Sequence, residues 1–242
     1  MPATENSLSA LVLHQAPGGW GLPTLSPFCL KLQTYLRMGG IAFRCVSGEN
    51  PAKGPKRKIP WIEYEGRTLG DSGLIIEYIE KRHGYDADRG MSASDSAIAH
   101  ALRRLLEDSL AWALMYDRWV MDSSAHRDFR DLVLSKIPAP LRRLVVPLAC
   151  RDVRRQLHSQ GMGRHSPDEV HSIGRRDIAA VADFLGAKPF LMGDRPTRVD
   201  ASAYGVLANI LKPSMESPLK EEALRRANLV AFVERIQGLY FA

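Results

Sequence analysis

The chain has 242 residues, of which 45% are hydrophobic and 25% charged, and its net charge is +6. This composition is typical of a globular protein and excludes a disordered chain, a fibre or a coiled coil. The basic surplus is modest and dispersed, so it favours small anionic ligands or anionic surfaces and does not by itself indicate nucleic acid. No run of about 18 apolar residues is free of charge or proline, so neither a membrane span nor integral membrane association is predicted.

The amino terminus predicts the cellular compartment, and the cysteines and histidines predict neither disulfides nor a metal site. Met1–Ser9 carries Glu5 and no basic residue before an apolar stretch. This is unlike a secretory signal, so a cytoplasmic location is predicted. Cys29, Cys45 and Cys150 lie too far apart for a disulfide framework or a paired-cysteine zinc site. The histidines have no metal-ligand spacing, and no metal is predicted.

The pattern of the chain changes near its first third. Short β-like and helical runs alternate before Gly84, whereas the chain reads as helical after Ser92. The intervening stretch is polar and rich in Gly and Asp, as linkers are. We therefore predict one domain over residues 1–84, a linker over 85–92 and an all-helical domain over 93–242.

The first half predicts a small mixed sheet with helices. A crossover helix ending at Gly39–Gly40 requires the strands on either side of it to be parallel, and a tight turn at Glu65–Gly66 requires an antiparallel pair. A second helix ends near Gly84, so the order is β-α-β followed by β-β-α. The predicted strands are Leu8–His14, Ile41–Val46, Trp61–Tyr64 and Thr68–Leu69.

Four helices and a broken middle segment are predicted in the second half. Pro138, Pro140 and Pro147 predict that the middle is divided into short helices. Thr197 and Asp200 have the spacing of a helix capping box. The predicted helices extend from Ser94 to about Asp122, from Pro167 to Leu185, from Thr197 to about Leu211, and from about Pro218 to Tyr240.

The segment Ser26-Pro27-Phe28-Cys29 opens the first helix. Ser26 either caps this helix or uses its hydroxyl, together with the helix dipole, to stabilise an anion such as a thiolate. Cys29, one turn inside, is either a small buried apolar side chain or a thiol whose pKa is lowered by the helix start. No cysteine lies three residues before it, so a dithiol redox motif is excluded.

Two further segments carry candidate binding residues. In Lys58-Ile59-Pro60 the proline precedes a strand, and a cis bond would turn the Ile59 backbone outward towards an extended peptide ligand. Asp71-Ser72 opens the second helix of the first half. This pair either caps the helix or recognises a free amino-acid end, with Asp71 taking the amino group and Ser72 the carboxylate.

In this order, and on this predicted frame, these motifs resemble the cytosolic glutathione transferase superfamily over nearly the whole chain. The resemblance implies an α+β, thioredoxin-like amino-terminal domain and an all-α carboxyl-terminal domain. Ser26 to Phe28 is similar to the start of the first helix in serine-type classes, and Lys58 to Pro60 to the cis-proline motif. Asp71-Ser72 is similar to the pair that holds the γ-glutamyl group, and Thr197–Asp200 to the capping box of the helical domain.

This resemblance implies a protein that binds glutathione as a co-substrate and activates its thiol for attack on a hydrophobic, electrophilic small molecule. The implied glutathione-binding residues are Ser26, Lys58, Ile59, Pro60, Asp71 and Ser72. Ser26 is the implied catalytic residue, and Cys29 is its alternative. A homodimer is also implied.

Within the superfamily, the stretch from Gly21 to Lys31, continued by Tyr35 to Met38, resembles the failed axon connections and metaxin-like branch. Segments 104–119 and 188–200 are similar to that branch as well. The eukaryotic members of the branch are better described as interaction or import components than as enzymes. A non-catalytic binding or scaffolding protein is therefore the alternative function, and a Cys29-dependent thiol transferase or reductase the third.

Two groups of residues in the helical half each allow two interpretations. Trp112, Tyr116 and Trp119 lie at helical spacing, where they line a hydrophobic substrate pocket or form plain core or subunit contacts. The basic groups Arg142–Arg143 and Arg151–Arg155 flank a run of apolar residues. That run is either a contact for a membrane surface or part of a solvated helix face, and the predicted proline breaks and the distribution of charge favour the second.

Overall fold

A computed structural model of the chain describes residues 10–242, so the first two residues of the predicted strand Leu8–His14 lie outside the described residues. Four strands form one sheet in the order β2-β1-β3-β4. Strands β1 and β2 are parallel, and β3 is antiparallel to both of its neighbours, as predicted. The strands are β1 (Leu11–Gln15), β2 (Phe43–Ser47), β3 (Trp61–Tyr64) and β4 (Arg67–Gly70).

Two helices cover one face of this sheet. Helix α1 (Pro27–Met38) connects β1 to β2, and helix α2 (Ser72–His83) follows β4. Alternate strand residues such as Leu13 and Ile62 point to this face and form a core with both helices. Because side chains alternate along a strand, this face of the sheet is apolar and is buried on folding. The thioredoxin-like order is therefore as predicted.

The remainder of the described chain is helical. The long helix predicted from Ser94 is present as α3 and α4, joined by a π-helical stretch, Leu105–Leu110. The segment 85–92 contains no helix or strand, although the division into domains at those bounds stays a prediction. The helices are α3 (Ala93–Arg104), α4 (Ala111–Val120), α5 (Ser124–Val133), α6 (Ala139–Gln160), α7 (Pro167–Leu185), α8 (Arg198–Leu211), α9 (Pro218–Arg225) and α10 (Ala227–Tyr240).

Two predictions for the helical half were wrong. Pro147 does not break the middle segment, because α6 is one helix of 22 residues that contains it. Pro147 is exposed, so the backbone carbonyl that loses its donor at this turn can be hydrated. The last predicted helix is divided at Arg226, where tertiary contacts fix the bend. Arg226 donates to Asp183 at 3.1 Å, and Asn228 donates to the Ala182 carbonyl at 2.8 Å.

Helix α8 joins the sheet layer to the helical layer. An ideal Cβ on Gly205 would lie 2.4 Å from the Pro27 carbonyl oxygen, so α8 approaches the backbone of α1 more closely than any other residue would allow. Beside this contact, Lys31 Nζ forms a buried ion pair with Glu107 at 2.6 Å. Ser202 donates to the same carboxylate at 2.7 Å. Because Glu107 lies in the π-helical stretch, that irregular turn supplies the acceptor for Lys31.

The predicted capping box of α8 is present. The Asp200 carboxylate accepts hydrogen bonds from the Thr197 N–H and from the Thr197 hydroxyl, both at 2.7 Å. Its second oxygen accepts the Leu191 N–H at 2.7 Å. These bonds fix the start of α8, and therefore the surface on which α1 packs.

Candidate functional site

The register of the sheet brings the predicted site segments to one end. His14, near the end of β1, lies opposite Trp61, the first residue of β3, and Trp61 lies opposite Gly70, the last residue of β4. The loop before Ser26 leaves from this end, Ile59–Pro60 enters it, and Asp71 follows directly. Residues that are widely separated in the sequence therefore border the same edge of the sheet.

The long loop between β1 and α1 is held by the helical layer. Leu22 and Leu25 are buried in the core of the helical domain. Thr24 donates its hydroxyl to the Ala16 carbonyl at 3.1 Å, and the Leu25 N–H donates to the Pro17 carbonyl at 2.8 Å. The loop therefore has a defined path, which sets the position of the residue that follows it, Ser26.

Ser26 is the N-cap of α1. Its Oγ accepts a hydrogen bond from the Cys29 N–H at 3.4 Å, and Pro27 occupies the first helical position. Ser26 therefore caps the helix, as the first interpretation predicts. This does not exclude the second interpretation, in which the hydroxyl stabilises an anion such as a thiolate. A hydroxyl that accepts one hydrogen bond still has its own proton to donate, and here it lies at the positive end of the helix dipole.

Cys29 is fully buried behind Ser26. Burial raises the pKa of its thiol to about 11, and hydrogen bonding from the Ser26 hydroxyl, the Ala16 backbone and the Thr24 hydroxyl offsets only part of that rise. At neutral pH the Cys29 thiol is therefore protonated. These surroundings are those of a small buried side chain and not of a reactive thiolate.

The bond between Ile59 and Pro60 is cis, as predicted. The pairing of β3 with β1 begins at Trp61, so the Ile59 backbone lies beyond the last paired residue of the ladder. Pro60 is buried, Ile59 is partly buried and Lys58 is exposed. The Ile59 backbone and the Lys58 cation therefore lie at the edge of the site.

Asp71 is the N-cap of α2 and has a φ of +83°, which is unusual for a residue with a side chain. Its Oδ1 accepts the N–H groups of Gly73 and Leu74 at 2.9 and 3.2 Å. Two of the helix-start donors are thus already used within the helix. The Oδ2 of the exposed Asp71 and the N–H and hydroxyl of the buried Ser72 are the groups left to meet a ligand.

The three aromatic residues on α4 have different surroundings. Trp119 packs edge-on against Phe129, with 6.0 Å between the ring centroids. Trp112 is partly buried against the core of the helical domain, whereas Tyr116 is buried and desolvation raises its pKa. Their role in a substrate pocket stays a prediction, since the helical core also accounts for their burial.

Sequence reasoning missed Arg118, which lies on the same helix. Its Nη1 donates to the Leu25 carbonyl at 2.8 Å, and its Nη2 donates to the carbonyl and the side-chain oxygen of Asn209. The guanidinium also lies 4.6 Å from the ring centroid of Phe129. Burial lowers its pKa to about 9, which leaves it a cation at neutral pH. Arg118 thereby ties α4 and α8 to the residue that precedes Ser26, and an arginine inside an apolar helical stripe was the available signal.

Residues 10–242 contain neither a membrane-spanning helix nor a cluster of metal ligands. No helix in this part of the chain is long and apolar enough to cross a membrane. Within the same residues, no group of three or more His, Cys, Asp or Glu side chains is arranged to hold a metal ion.

Family models match both halves of the chain. The model for the glutathione S-transferase N-terminal domain matches residues 27–125, and the model for the glutathione S-transferase C-terminal domain matches residues 174–236. A glutathione transferase from Phanerochaete chrysosporium has a TM-score of 0.67 at 17% identity, covering 98% of this chain and 99% of that one. At this identity the likeness shows the fold alone.

Curated relatives divide into two groups. The chain is 32% identical to the isoprene-epoxide–glutathione S-transferase of a Rhodococcus species, over 91% of this chain and 95% of that protein. It is 26% identical to Failed axon connections of Drosophila melanogaster, over 91% of this chain and 55% of that protein. It is 28% identical to metaxin-1 of Macaca fascicularis, over 93% and 73%. The second and third matches agree with the branch resemblance found in the sequence.

Proposed function

The chain belongs to the glutathione S-transferase family, and on that premise we propose that it binds glutathione and activates the glutathione thiol for attack on an electrophilic small molecule. The observation that carries the proposal is the Ser26 hydroxyl. It accepts a backbone N–H of its own helix and keeps its own proton to donate, at the end of the sheet where Ile59–Pro60 and Asp71 also lie.

The chemistry follows from the ordinary acidity of a thiol. With a pKa of about 8.5, only about 3% of a free thiol is ionised at neutral pH, and the thiolate is the nucleophile. A hydrogen bond from the Ser26 hydroxyl and the dipole of α1 both favour the charged form. The Cys29 thiol is uncharged at neutral pH and so is a weaker acceptor for that hydroxyl than a bound thiolate is.

The remaining predicted residues hold the peptide. The unpaired Ile59 backbone pairs with the cysteinyl main chain, as an added strand does. Asp71 Oδ2 accepts from the α-amino group of the γ-glutamyl end, and Ser72 donates to its carboxylate. The exposed Lys58 meets the glycyl carboxylate. Each of these contacts pairs opposite charges or completes a main-chain hydrogen bond.

The electrophile enters from the helical layer, where Trp112, Tyr116 and Trp119 supply apolar surface. Small epoxides are the first class to examine, because one relative is named for isoprene epoxide. Attack by the thiolate sulfur on an epoxide carbon forms a C–S bond and breaks a C–O bond. The ring oxygen leaves as an alkoxide and takes a proton from water.

Ser26→Ala tests the role of the hydroxyl. A hydrogen bond to a charged group contributes about 1.5–3 kcal/mol, which corresponds to a rise of about 1–2 units in the pKa of the bound thiol. The rate of conjugation should fall by up to about 10- to 100-fold near neutral pH and less at alkaline pH. Glutathione affinity, measured by calorimetry, should change little, and thiolate absorbance of the complex reports the pKa directly.

Two variants control for the lost cap. Removing the cap of α1 costs about 0.5–2 kcal/mol of stability by itself. Ser217→Ala removes a comparable cap, that of α9, whose Oγ accepts the Lys220 N–H at 3.3 Å. It should lower stability without changing the pH profile. Ser26→Thr keeps a hydroxyl and should restore most of the rate. An unchanged pH profile in Ser26→Ala would contradict the proposed role.

A non-catalytic binding protein is the second candidate, favoured by the similarity to Failed axon connections and metaxin-1. It predicts that calorimetry detects glutathione while no member of a broad electrophile panel is conjugated. The Cys29-dependent reaction is the third candidate, and the burial of that thiol argues against it. A mixed disulfide between glutathione and Cys29, detected by mass spectrometry of the native protein, would favour it.

We also propose a homodimer and a cytoplasmic location, both of which rest on the sequence. Light scattering of the purified chain measures its oligomeric state. Fractionation of the source cells measures its location.

A further inference from the structure

Helix α6 presents an apolar stripe to solvent. Leu141, Leu144 and Leu148 are 53%, 69% and 50% exposed. Residues three and four apart lie on the same face of a helix, so these side chains form one continuous surface. Within residues 10–242, seven large hydrophobic side chains are exposed, and three of them belong to this stripe.

The leucine stripe is exposed to solvent because the first part of α6 does not pack on the core. The first residue of α6 that is buried is Cys150, about three turns beyond the start of the helix and on the opposite side from Leu141 and Leu148. Pro147, which was predicted to interrupt this segment, lies inside a continuous helix. The leucines therefore share one face, whereas a broken segment would have scattered them.

Positive charge is concentrated on the same helix. Helix α6 contains five arginines and one acidic residue, Asp152, a net charge of +4 out of the +6 of the whole chain. Asp152 pairs with Arg155 at 3.1 Å. Arg143 and Arg151 have no ion pair with any described residue and are exposed. At seven residues from Leu144, Arg151 continues the leucine face by two turns.

We propose that this face of α6 is a docking site for an anionic lipid surface, at which the leucines enter the acyl boundary and the arginines meet the phosphates. Peripheral helices bind in this way, by adding a small apolar area to the attraction of basic residues for anionic lipids. This attachment is peripheral and does not depend on the proposed glutathione chemistry.

Charge and size decide against a second copy of the chain. Two copies meeting through this face would place one +4 helix against another, and like charges repel. A stable protein interface also buries about 800 Å² on each partner, with 20–30 residues a side. Three leucines ringed by arginines do not form such an interface, whereas a lipid surface needs no matching shape.

The test is flotation of the whole protein with vesicles of phosphatidylcholine alone, and with vesicles of equal parts phosphatidylcholine and phosphatidylserine. We expect binding to the anionic vesicles only, and weaker binding at high salt because surface charges are screened. Leu144→Ser combined with Leu148→Ser should reduce the bound fraction at least 10-fold. Arg143→Gln combined with Arg151→Gln should reduce binding roughly 5-fold per arginine.

Matched controls change the same residue types elsewhere. Arg175→Gln combined with Arg176→Gln alters net charge equally on α7, and Leu224→Ser removes a leucine of similar exposure, 52%, on α9. Both should leave binding unchanged. Circular dichroism and urea unfolding show whether each variant is folded.

Four results would overturn the proposal. The first is the absence of binding to anionic vesicles. The second is an equal loss of binding in the α7 and α6 arginine variants, which would mean that binding depends only on the net charge of the protein. The third is dissociation of a dimer by the leucine variant, measured by light scattering, which would make the face a self-interface. The fourth is binding to polyglutamate that needs the arginines but not the leucines, without vesicle binding, which would assign the face to an acidic protein.

Discussion

Gly205→Ala tests the contact that places α1, and with it Ser26, on the helical layer. The added Cβ would lie 2.4 Å from the Pro27 carbonyl oxygen, 3.1 Å from Lys31 N and 3.2 Å from Lys31 Cβ. An ordinary carbon–oxygen contact is roughly 3.3 Å, so the two helices must separate by about 1 Å. Because the obstructing atoms are mainly backbone, no side-chain rotation relieves the clash.

Two opposing effects set the magnitude. Overpacking of a closely packed core costs about 1–3 kcal/mol, and here the rigid backbone places it at the upper end. Replacing a helical glycine by alanine gains up to about 1 kcal/mol. The free energy of unfolding should therefore fall by about 2 kcal/mol.

The assay is urea unfolding of the variant and of Gly238→Ala, its matched control. Gly238 also lies in a helix, α10, but nothing lies within 4 Å of the position of its Cβ. That substitution should be neutral or stabilise by about 0.4–1 kcal/mol. If Gly205→Ala were as stable as Gly238→Ala, the close approach of α8 to α1 would be refuted. Weaker glutathione binding in Gly205→Ala alone would show that the contact also positions the site.

Three further outcomes are expected. Asp71→Asn keeps a capping oxygen but removes the charge, and calorimetry should show glutathione affinity lower by about 1.5–3 kcal/mol; unchanged affinity would remove Asp71 from the site. The Cys29 pKa is raised from 9.0 to about 11 in the folded chain, so its contribution is complete below pH 9 and is lost as the pH rises towards 11. Between pH 9 and pH 11 the free energy of unfolding should therefore fall by roughly 2–3 kcal/mol more in the protein than in Cys29→Ala. Parallel curves of unfolding free energy against pH for the two proteins would contradict the raised pKa of Cys29. Lys31→Met leaves Glu107 without its cation and should lower stability by about 3–5 kcal/mol in urea unfolding, whereas adding Glu107→Gln should recover part of it; additive losses would argue against the ion pair.

Local signals made much of the fold predictable from the sequence. The glycine pair after α1, the turn at Glu65–Gly66 and the helix from Pro167 to Leu185 depend on residues close in the chain, and the structure has all three. The capping box at Thr197 is also local and was predicted. Such elements are specified by neighbouring residues, so a single sequence is sufficient to locate them.

The errors occurred where solvent exposure or contacts with distant residues outweigh local rules. Proline at 147 is a helix breaker by local rules, yet its solvent-facing position lets α6 continue. The bend at Arg226 has no local breaker, and its ion pair with Asp183 on α7 accounts for it. Arg118 was missed for the same reason, because its partners Leu25 and Asn209 lie on other elements.

The sequence by itself determined which residues of the candidate site to consider, since Ser26, Ile59–Pro60 and Asp71 each stand at the start of a helix or strand. Only the tertiary structure decided that they share one end of the sheet, that Cys29 is sealed behind Ser26, and that the leucines of α6 face solvent together. The physical reason is that helix caps and turns form from residues within a few positions of each other. Burial, register and ion pairing instead depend on which distant surfaces exclude water from one another.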